Sequence, residues 1–180
     1  MSEQDRVRWD ARHAMSAADP ESGLPPVFAP FESAFPDTGT ALDLACGRGG
    51  GSVWLARRGL QVWGIDVSAV AIAQARAAAV GAGVAARCRF DVVDLDDGLP
   101  AGPPVDVIFC HRFRDARLDR ALVDRLAPGG LLAISVLSEV GSSPGPYRAR
   151  PGELTAAFAD LEVIAAGEGD GEAWLLGRRR

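Results

Sequence analysis

The sequence predicts an α/β fold with a doubly wound, mostly parallel sheet, and three observations support that prediction. From residue 40 onward, short apolar runs alternate with Ala-rich stretches of helical character. Such alternation favours a parallel sheet with helices on both faces, which is a three-layer sandwich. The last two apolar runs are separated only by residues 167–171, so they predict a C-terminal antiparallel hairpin. At roughly 150 residues per domain, 180 residues predict a single domain.

Residues 1–39 are expected to form an N-terminal portion of this one domain. Residues 2–15 are polar with a few apolar positions, which is compatible with a short helix. Residues 16–39 hold five of the 12 prolines, so they predict an irregular segment with one helical turn, which we expect to act as a lid. The core of the fold then occupies residues 40–180, and 1–180 is one domain.

The first elements of the core follow one another closely. In order they are a strand at 40–45, a glycine turn at 47–51, a helix at 52–58 that Gly59 ends, and a strand at 61–66.

The middle of the chain continues the alternation. A helix is predicted at residues 68–80, because Ser68 is a favourable N-cap and Gly81 a favourable stop. Strands at 87–93 and 105–110 follow, and the second is apolar enough to be buried on both faces.

The last part of the chain ends in the hairpin. Its predicted elements are a helix at 115–126, strands at 131–137, 161–166 and 173–177, and a short helix at 153–158.

Composition excludes several classes of function. The net charge is -5 and the sequence pI is about 5.0, whereas a nucleic-acid backbone binder needs a cationic face. Every basic residue apart from histidine is Arg, and the absence of Lys excludes Schiff-base lysine chemistry and a lysine-bearing phosphate loop. We therefore expect a small-molecule partner and no nucleic-acid partner.

The cysteines and the apolar runs indicate where in the cell the protein is expected to be. Three separated cysteines without a Cys-x-x-Cys pair indicate free thiols, and with two distant histidines they predict no metal site. The charged N-terminus is followed by no apolar signal region, and no apolar run approaches the ~20 residues that span a bilayer. We expect a cytoplasmic protein that does not bind a membrane, as a monomer or weak homodimer.

The densest group of informative residues is Asp43-Leu-Ala-Cys-Gly-Arg-Gly49, at the end of the first predicted strand. Small residues there let a ligand lie against the backbone and meet the N–H groups at the start of the next helix. Asp66 ends the second strand, where a carboxylate is placed to accept hydrogen bonds from a ribose diol. Together these residues predict a nucleoside-containing ligand.

A nicotinamide dinucleotide is disfavoured as that ligand. The pattern Gly-x-Gly-x-x-Gly is incomplete, because Ser52 stands where the third glycine would be. Asp43 would also lie beside a negative pyrophosphate. An acid at this place suits a ligand that brings positive charge, such as the ammonium of a methionine-like group, and the implied cofactor is S-adenosylmethionine.

Four motifs in order resemble those of class I S-adenosylmethionine-dependent methyltransferases, which have a Rossmann-like fold. They are Asp43-Leu-Ala-Cys-Gly-Arg-Gly49, Gly64-Ile-Asp-Val-Ser68, Asp91-Val-Val-Asp94 and Leu126-Ala-Pro-Gly-Gly130. Within that superfamily, three further stretches resemble small bacterial methyltransferases related to the tellurite-resistance type. They are Trp9-Asp-Ala-Arg12, His111-Arg-Phe113 and Arg150-Pro-Gly-Glu-Leu154.

The resemblance implies roles for residues at the methionine end of the cofactor. Asp43, Gly47 and Gly49 would hold that end, with Ala45 at a position that is usually glycine. Asp66 would hold the ribose hydroxyls. The alternative for Asp43 is that it only ties down its own turn.

The adenine end is assigned in the same way. Val67 would cover one face of adenine, and Asp94 with the Leu95 backbone would reach its edge. Trp9 and Arg12 would cover the cofactor from the N-terminal helix. The alternatives are a solvated acidic turn for Asp94 and simple packing for Trp9 and Arg12.

The acceptor side rests on residues after the fourth strand. The resemblance implies that Cys110 and His111, at the end of that strand, border the sulfonium and its methyl group, and His111 is a candidate general base. Arg112 would anchor an anionic acceptor or pair with Asp115. Tyr147, in the connection after the fifth strand, is a candidate lid or acceptor contact. A structural role for His111 is the alternative.

Three functions remain open at this stage. The first is an S-adenosylmethionine-dependent methyltransferase (EC 2.1.1 type) that acts on a small molecule by in-line methyl transfer. The second is a cofactor-binding sensor or interaction module without catalysis. The third, disfavoured by Asp43 and Ser52, is a dinucleotide-dependent oxidoreductase.

Overall fold

The computed structural model describes residues 9–11, 13, 23–145 and 147–180. The chain forms two compact units, Met1–Pro100 and Ala101–Arg180. Their elements confirm the α/β class, with parallel strands first and antiparallel strands at the C-terminal end. The assignment of residues 1–180 to one domain stays a prediction.

The first unit is built on three parallel strands. They are β1 (Thr40–Leu44), β2 (Gln61–Asp66) and β3 (Cys88–Val92), and β2 lies between the other two. Helix α1 (Gly50–Arg58) joins β1 to β2, and helix α2 (Ala69–Gly81) follows β2. The strands end together because their register is parallel, with Asp43 beside Gly64 and Asp66 beside Val92.

The ends of α1 and α2 follow from a few residues. Gly59 ends α1 with a φ of 118°, a conformation that favours glycine. Ser68 caps α2, because its hydroxyl accepts a 3.1 Å hydrogen bond from the Ala71 amide. The helix was predicted to end at residue 80, before Gly81, but Gly81 is its last residue. The glycine with left-handed backbone after the helix is Gly83, with a φ of 71°.

The segment before β1 is more regular than expected. Pro26–Ala34 is a 3-10 helix with a kink at Phe31, which is longer than the one helical turn that was expected within an irregular segment. Phe28 and Phe35 are buried, and the Phe35 ring packs edge-on to Trp54 with 5.1 Å between ring centroids. Arg58 Nη2 donates to the Phe35 carbonyl at 2.9 Å. These contacts attach the segment to α1.

The second unit contains the remaining strands. They are β4 (Val105–His111), β5 (Leu126–Ser138), β6 (Arg148–Ala149), β7 (Glu162–Gly169) and β8 (Glu172–Arg178). Strand β5 pairs in parallel with β4 and with the short β6, and antiparallel with β8. Helices α3 (Asp119–Arg125) and α4 (Glu153–Ala157) complete the unit.

Two boundaries in the second unit differ from the prediction. The helix expected at 115–126 is divided into a 3-10 turn, Ala116–Leu118, and α3. Strand β5 begins at Leu126 and runs through the Pro-Gly-Gly that was expected to precede it. Its backbone there is held by Arg179, whose amide donates to the Gly130 carbonyl at 2.9 Å and whose carbonyl accepts from the Gly129 amide at 2.9 Å.

The predicted C-terminal hairpin is confirmed, with a shorter turn than expected. Strands β7 and β8 pair antiparallel, and Gly169 is opposite Glu172. Asp170 and Gly171 have φ values of 50° and 79°, so they form a two-residue turn of the type that matches strand twist. Within the part of the chain that the structure describes, no helix combines the length and apolar character needed to cross a membrane.

Candidate functional site

Asp43 lies at the end of β1 and is buried. Its side chain is 2% exposed, and its Oδ2 accepts a 2.6 Å hydrogen bond from the Ser52 hydroxyl at the start of α1. Burial raises the pKa of Asp43 to about 7; the Ser52 hydrogen bond opposes this and the Asp66 charge adds to it. The Asp43 carboxyl group therefore changes charge near neutral pH.

Asp66 lies at the end of β2 and binds two backbone amides. Its Oδ2 accepts from the Gly47 amide and its Oδ1 from the Ser68 amide, each at 2.9 Å. Burial raises the pKa of Asp66, while those two hydrogen bonds and the His13 charge oppose the rise. Asp66 thus connects the glycine loop after β1 to the start of α2.

The loop between β1 and α1 depends on left-handed backbone. Ala45, Gly47 and Gly49 have φ values of 49°, 52° and 82°. Ala45 therefore occupies a conformation that favours glycine, in accord with the glycine that the resemblance places there.

Gly49 has no room for a side chain, because helix α2 packs against it. A Cβ on Gly49 would lie 2.9 Å from the Ala75 Cβ and 3.1 Å from the Ala75 Cα. The side of Gly49 that a Cβ would occupy is thus filled by α2, and the contact of Gly49 with a cofactor stays a prediction. The Gly49 amide donates to the Cys46 carbonyl at 2.9 Å and so closes the turn.

N-terminal residues lie against the same loop and the start of α2. Residues 9–11 and 13 are helical, and Asp10 Oδ1 accepts a 2.5 Å hydrogen bond from the Ser68 hydroxyl. Gln74 Nε2 donates to the His13 carbonyl at 3.3 Å, and His13 Cε1 lies 3.8 Å from where a Cβ on Gly47 would be. Trp9 stacks on His13 with ring centroids 6.1 Å apart. Arg12 lies outside the described residues.

The residues predicted for adenine follow β2 and β3. Val67 and Leu95 are buried. Asp94 Oδ1 accepts a 2.9 Å hydrogen bond from the Asp96 amide and caps the 3-10 turn Leu95–Asp97. Asp94 therefore has a local structural role in the described chain, and its contact with adenine stays a prediction.

In the second unit, His111 is the last residue of β4 and contacts β5. His111 Nδ1 lies 2.6 Å from the Ser135 Oγ, and the two residues are in register. Cys110 is buried, and its Sγ contacts the Phe113 carbonyl at 3.4 Å. The strand therefore ends in a turn, residues 111–113, that is tied to β4 and β5.

Arg112 lies within that turn and is exposed, with a φ of 59°. Its amide donates to the Ser135 carbonyl at 2.7 Å. Asp115 pairs with Arg117 at 2.7 Å, and the expected alternative, a pair between Arg112 and Asp115, stays a prediction. The pairing with Arg117 lowers the pKa of Asp115, chiefly through the hydrogen bond from Arg117.

Arg114 fixes the chain just beyond the turn. Its guanidinium donates to both carboxylate oxygens of Asp119, at 2.5 and 2.9 Å, and to Glu153 at 2.8 Å. The arginine side chain is 6% exposed, so the three charges form a largely buried network. It connects the turn to α3 and α4.

Tyr147 lies just before β6 and is 54% exposed, with a φ of 62°. This exposure leaves its ring in contact with solvent, and its role as a lid or acceptor contact stays a prediction.

Comparison with known proteins identifies the family. The family described as "Methyltransferase domain" matches residues 41–130, which is half of the chain and includes β1, the glycine loop and β2. The chain belongs to this family. The resemblance inferred from the ordered motifs is thereby confirmed at the level of the methyltransferase domain.

One curated relative of this methyltransferase domain is the uncharacterized protein syc1184_c of Synechococcus sp. It is 36% identical over 109 residues, which cover 56% of this chain. The match spans 26% of the relative's own length, or about a quarter of that protein.

Several solved structures share the fold of this chain at low sequence identity. TehB from Haemophilus influenzae has a TM-score of 0.72 at 18% identity, and the match covers 97% of this chain and 67% of TehB. The DhpI–SAH complex has a TM-score of 0.69 at 22% identity, over 98% and 96% of the two chains. An S-adenosylmethionine-dependent methyltransferase from Mesorhizobium loti has a TM-score of 0.70 at 18% identity, over 83% and 96%.

Sequence reasoning missed several residues at these positions. Ser52 and Ser135 complete hydrogen bonds to Asp43 and His111, and Asp10 and His13 lie against the loop and α2. Asp10 lies within the Trp9-Asp-Ala-Arg12 motif, which was an available signal for it. His13 lies one residue beyond that motif, and only the folded chain brings it to Gly47.

Proposed function

We propose that this methyltransferase transfers the methyl group of S-adenosylmethionine to a small-molecule acceptor. The observation that carries the proposal is the pair of buried acids at the glycine loop: Asp43 precedes the loop, and Asp66 accepts a hydrogen bond from its Gly47 amide. A buried acid is costly unless a partner compensates its charge. A cofactor with an ammonium and a sulfonium supplies such compensation, whereas a pyrophosphate would add repulsion.

Asp66 has the acceptor capacity that a ribose diol requires. A carboxylate offers about four acceptor positions, and the Gly47 and Ser68 amides use two of them. We assign the other two to the ribose hydroxyls. Asp43, Ala45, Gly47 and Gly49 then form the wall at the methionine end.

Other residues complete the proposed cofactor site. Val67 covers adenine, Asp94 and the Leu95 backbone contact its edge, and Cys110 borders the sulfonium. Trp9 and Arg12 cover the cofactor. This assignment is supported by Asp10, the neighbour of Trp9, which accepts a hydrogen bond from Ser68 at the start of α2.

Methyl transfer requires alignment more than activation by the protein. Bound S-adenosylmethionine supplies a methyl group on a positively charged sulfur, which leaves as a neutral thioether. The chain's residues hold the reacting groups in line and exclude water, an effect that contributes on the order of 7 to 11 kcal/mol. With the cofactor bound, the acceptor lone pair would form the new bond to the methyl carbon, and the electrons of the carbon–sulfur bond would remain on sulfur.

His111 and Arg112 are the proposed acceptor-side residues. His111 takes the proton of an acceptor that is not already a nucleophile, because an imidazole nitrogen can act as a general base. Arg112 lies exposed in the turn and would bind an anionic acceptor, and Tyr147 would cover it. The acidic composition of the chain favours a small acceptor over a nucleic acid.

The cofactor assignment is tested by calorimetric titration with S-adenosylhomocysteine, the demethylated product. Asp66→Asn retains one acceptor oxygen, for either the Gly47 or the Ser68 amide, whereas Asp66→Ala removes the acceptor of both. We expect Asp66→Asn to weaken binding by roughly 1.5 to 3 kcal/mol, the value of hydrogen bonds to a charged acceptor. Asp37→Asn, which changes an exposed carboxylate, is the control. Equal affinity in the two variants would exclude the ribose assignment.

Turnover separates an enzyme from a sensor. The wild-type chain is incubated with S-adenosylmethionine and a panel of small thiols, phenols and metalloid anions, and formation of S-adenosylhomocysteine is measured. Turnover with a panel member supports the proposal. Tight cofactor binding without turnover on any panel member would instead favour the non-catalytic cofactor-binding module.

A further inference from the structure

Ser135 is a polar residue in the middle of an apolar strand. It is 0% exposed, and its neighbours on β5, Ile134 and Val136, are buried as well. A buried hydroxyl is costly unless it makes a hydrogen bond. Its Oγ lies 2.6 Å from the His111 Nδ1, so the bond between the two side chains explains why a serine is tolerated at this position.

We propose that Ser135 is a positioning residue, which orients the His111 ring and the turn that follows it. This inference rests on the proposed role of His111 as the base. A base in an active site works best when a third group holds it in one orientation. In the tautomer that carries its proton on Nδ1, the His111 ring donates to the Ser135 hydroxyl, and Nε2 is then the nitrogen that takes the proton of the acceptor.

Ser135 also holds the backbone next to His111. Its carbonyl accepts a 2.7 Å hydrogen bond from the Arg112 amide. Arg112 has a φ of 59°, which is an unfavourable conformation for a residue with a side chain. One residue of β5 therefore fixes both the ring of His111 and the reversal of the chain after it.

The rest of the turn is restrained independently of Ser135. The Cys110 thiol contacts the Phe113 carbonyl at 3.4 Å, and Arg114 binds Asp119 and Glu153. Because these contacts remain when the Ser135 hydroxyl is removed, a substitution at that hydroxyl should affect the His111 ring more than the path of the backbone.

Ring NMR of His111 tests the inference directly. The chain has 2 histidines, so His13→Ala and His111→Ala assign the ¹⁵N signals of both rings. Ser135→Ala should reduce the fraction of the Nδ1–H tautomer, and Ser135→Thr, which retains the hydroxyl, should restore it. Ser138→Ala is the matched control, because Ser138 is also fully buried on β5 but donates to Glu168 at 2.9 Å.

Kinetics complete the test, on a panel acceptor that the wild-type chain methylates. We expect Ser135→Ala to lower kcat about 10-fold and to alter the pH profile, with unchanged affinity for S-adenosylhomocysteine. Ser135→Thr should recover kcat. If Ser135→Ala does not fold, Ser135→Cys replaces it, since a thiol fills the space but is a weak hydrogen-bonding group.

The outcomes separate the inference from the proposed function. A tautomer ratio in Ser135→Ala equal to that of the wild-type chain overturns the positioning role, and so does an unchanged pH profile. If the wild-type chain binds S-adenosylhomocysteine but methylates no panel member, that result overturns the proposed function. The catalytic role of Ser135 is then overturned as well, because it depends on His111 acting as a base.

Discussion

Asp43 makes the stability of the first unit sensitive to pH. Its pKa is raised to about 7, because burial disfavours the charged form. A folded-state pKa above the unfolded value means that the folded chain binds the proton more tightly. The stabilisation is therefore complete at low pH, below the unfolded pKa, and is lost as pH rises through about 7.

Asp43→Asn should remove this pH dependence, because an amide does not titrate. Three pKa units correspond to roughly 4 kcal/mol as an upper value, at about 1.4 kcal/mol for each unit. We expect the variant to gain stability over the wild-type chain progressively from about pH 4 to about pH 7, in urea unfolding without cofactor. If the free energies of unfolding of the two proteins changed in parallel over this pH range, Asp43 would be ionised throughout.

Gly49 tests whether the loop is shaped by helix packing. Gly49→Ala should destabilise the fold by roughly 2 to 4 kcal/mol, since the new Cβ adds left-handed strain and overlaps Ala75. Gly83→Ala is the matched control. Gly83 has a φ of 71°, but nothing lies within 4 Å of the position that a Cβ would take, so only the backbone strain of about 1 kcal/mol applies there. Equal losses in urea unfolding would argue against the packing explanation.

At the scale of the elements, α2 is capped from two parts of the chain. Ser68 caps the helix through the Ala71 amide and donates to Asp10, which lies far away in sequence. A double-mutant cycle with Asp10→Ala and Ser68→Ala should give a coupling of about 1 kcal/mol, the net value of one hydrogen bond. Additive effects on the free energy of unfolding would show that residues near Trp9 do not depend on α2.

The elements that the sequence predicts well are those whose signals are local. The bounds of β2 agree with the prediction, because a short run of apolar residues is followed by a turn and a helix cap. The two-residue β6 has no periodicity to detect, and β5 extends through a Pro-Gly-Gly because Arg179 supplies its partners from the other end of the chain. Its start depends on a contact that no local pattern contains.

The residues of the candidate site also divide into those with a local sequence signal and those without one. Asp43 and Asp66 were predictable, since strand ends beside a glycine loop are marked in the sequence. Ser135 was not, because its partner His111 lies 24 residues earlier and meets it only through the pairing of β4 with β5. Residues that act through strand pairing need the register, which sequence periodicity leaves open.

At the scale of the whole molecule, ligand binding should appear as added stability. The proposed cofactor residues lie mostly in Met1–Pro100, and the acceptor-side residues His111, Arg112 and Tyr147 lie in Ala101–Arg180. A ligand that binds only the folded chain adds about 2.7 kcal/mol at 100 times its dissociation constant. For a chain of this size, each kcal/mol raises Tm by about 2 to 4 °C.

S-adenosylhomocysteine and NAD therefore distinguish the two classes of nucleoside cofactor in one thermal-shift experiment. We expect S-adenosylhomocysteine at 100 times its dissociation constant to raise Tm by about 5 to 11 °C, and NAD at the same concentration to leave it unchanged. The reason is electrostatic, because the Asp43 carboxylate next to the loop would repel the negative pyrophosphate of NAD. The hydrogen bond that Ser52 donates to Asp43 favours the charged form of this acid. A shift with NAD alone would instead favour the dinucleotide-dependent oxidoreductase, and it would require Asp43 to be protonated in the complex.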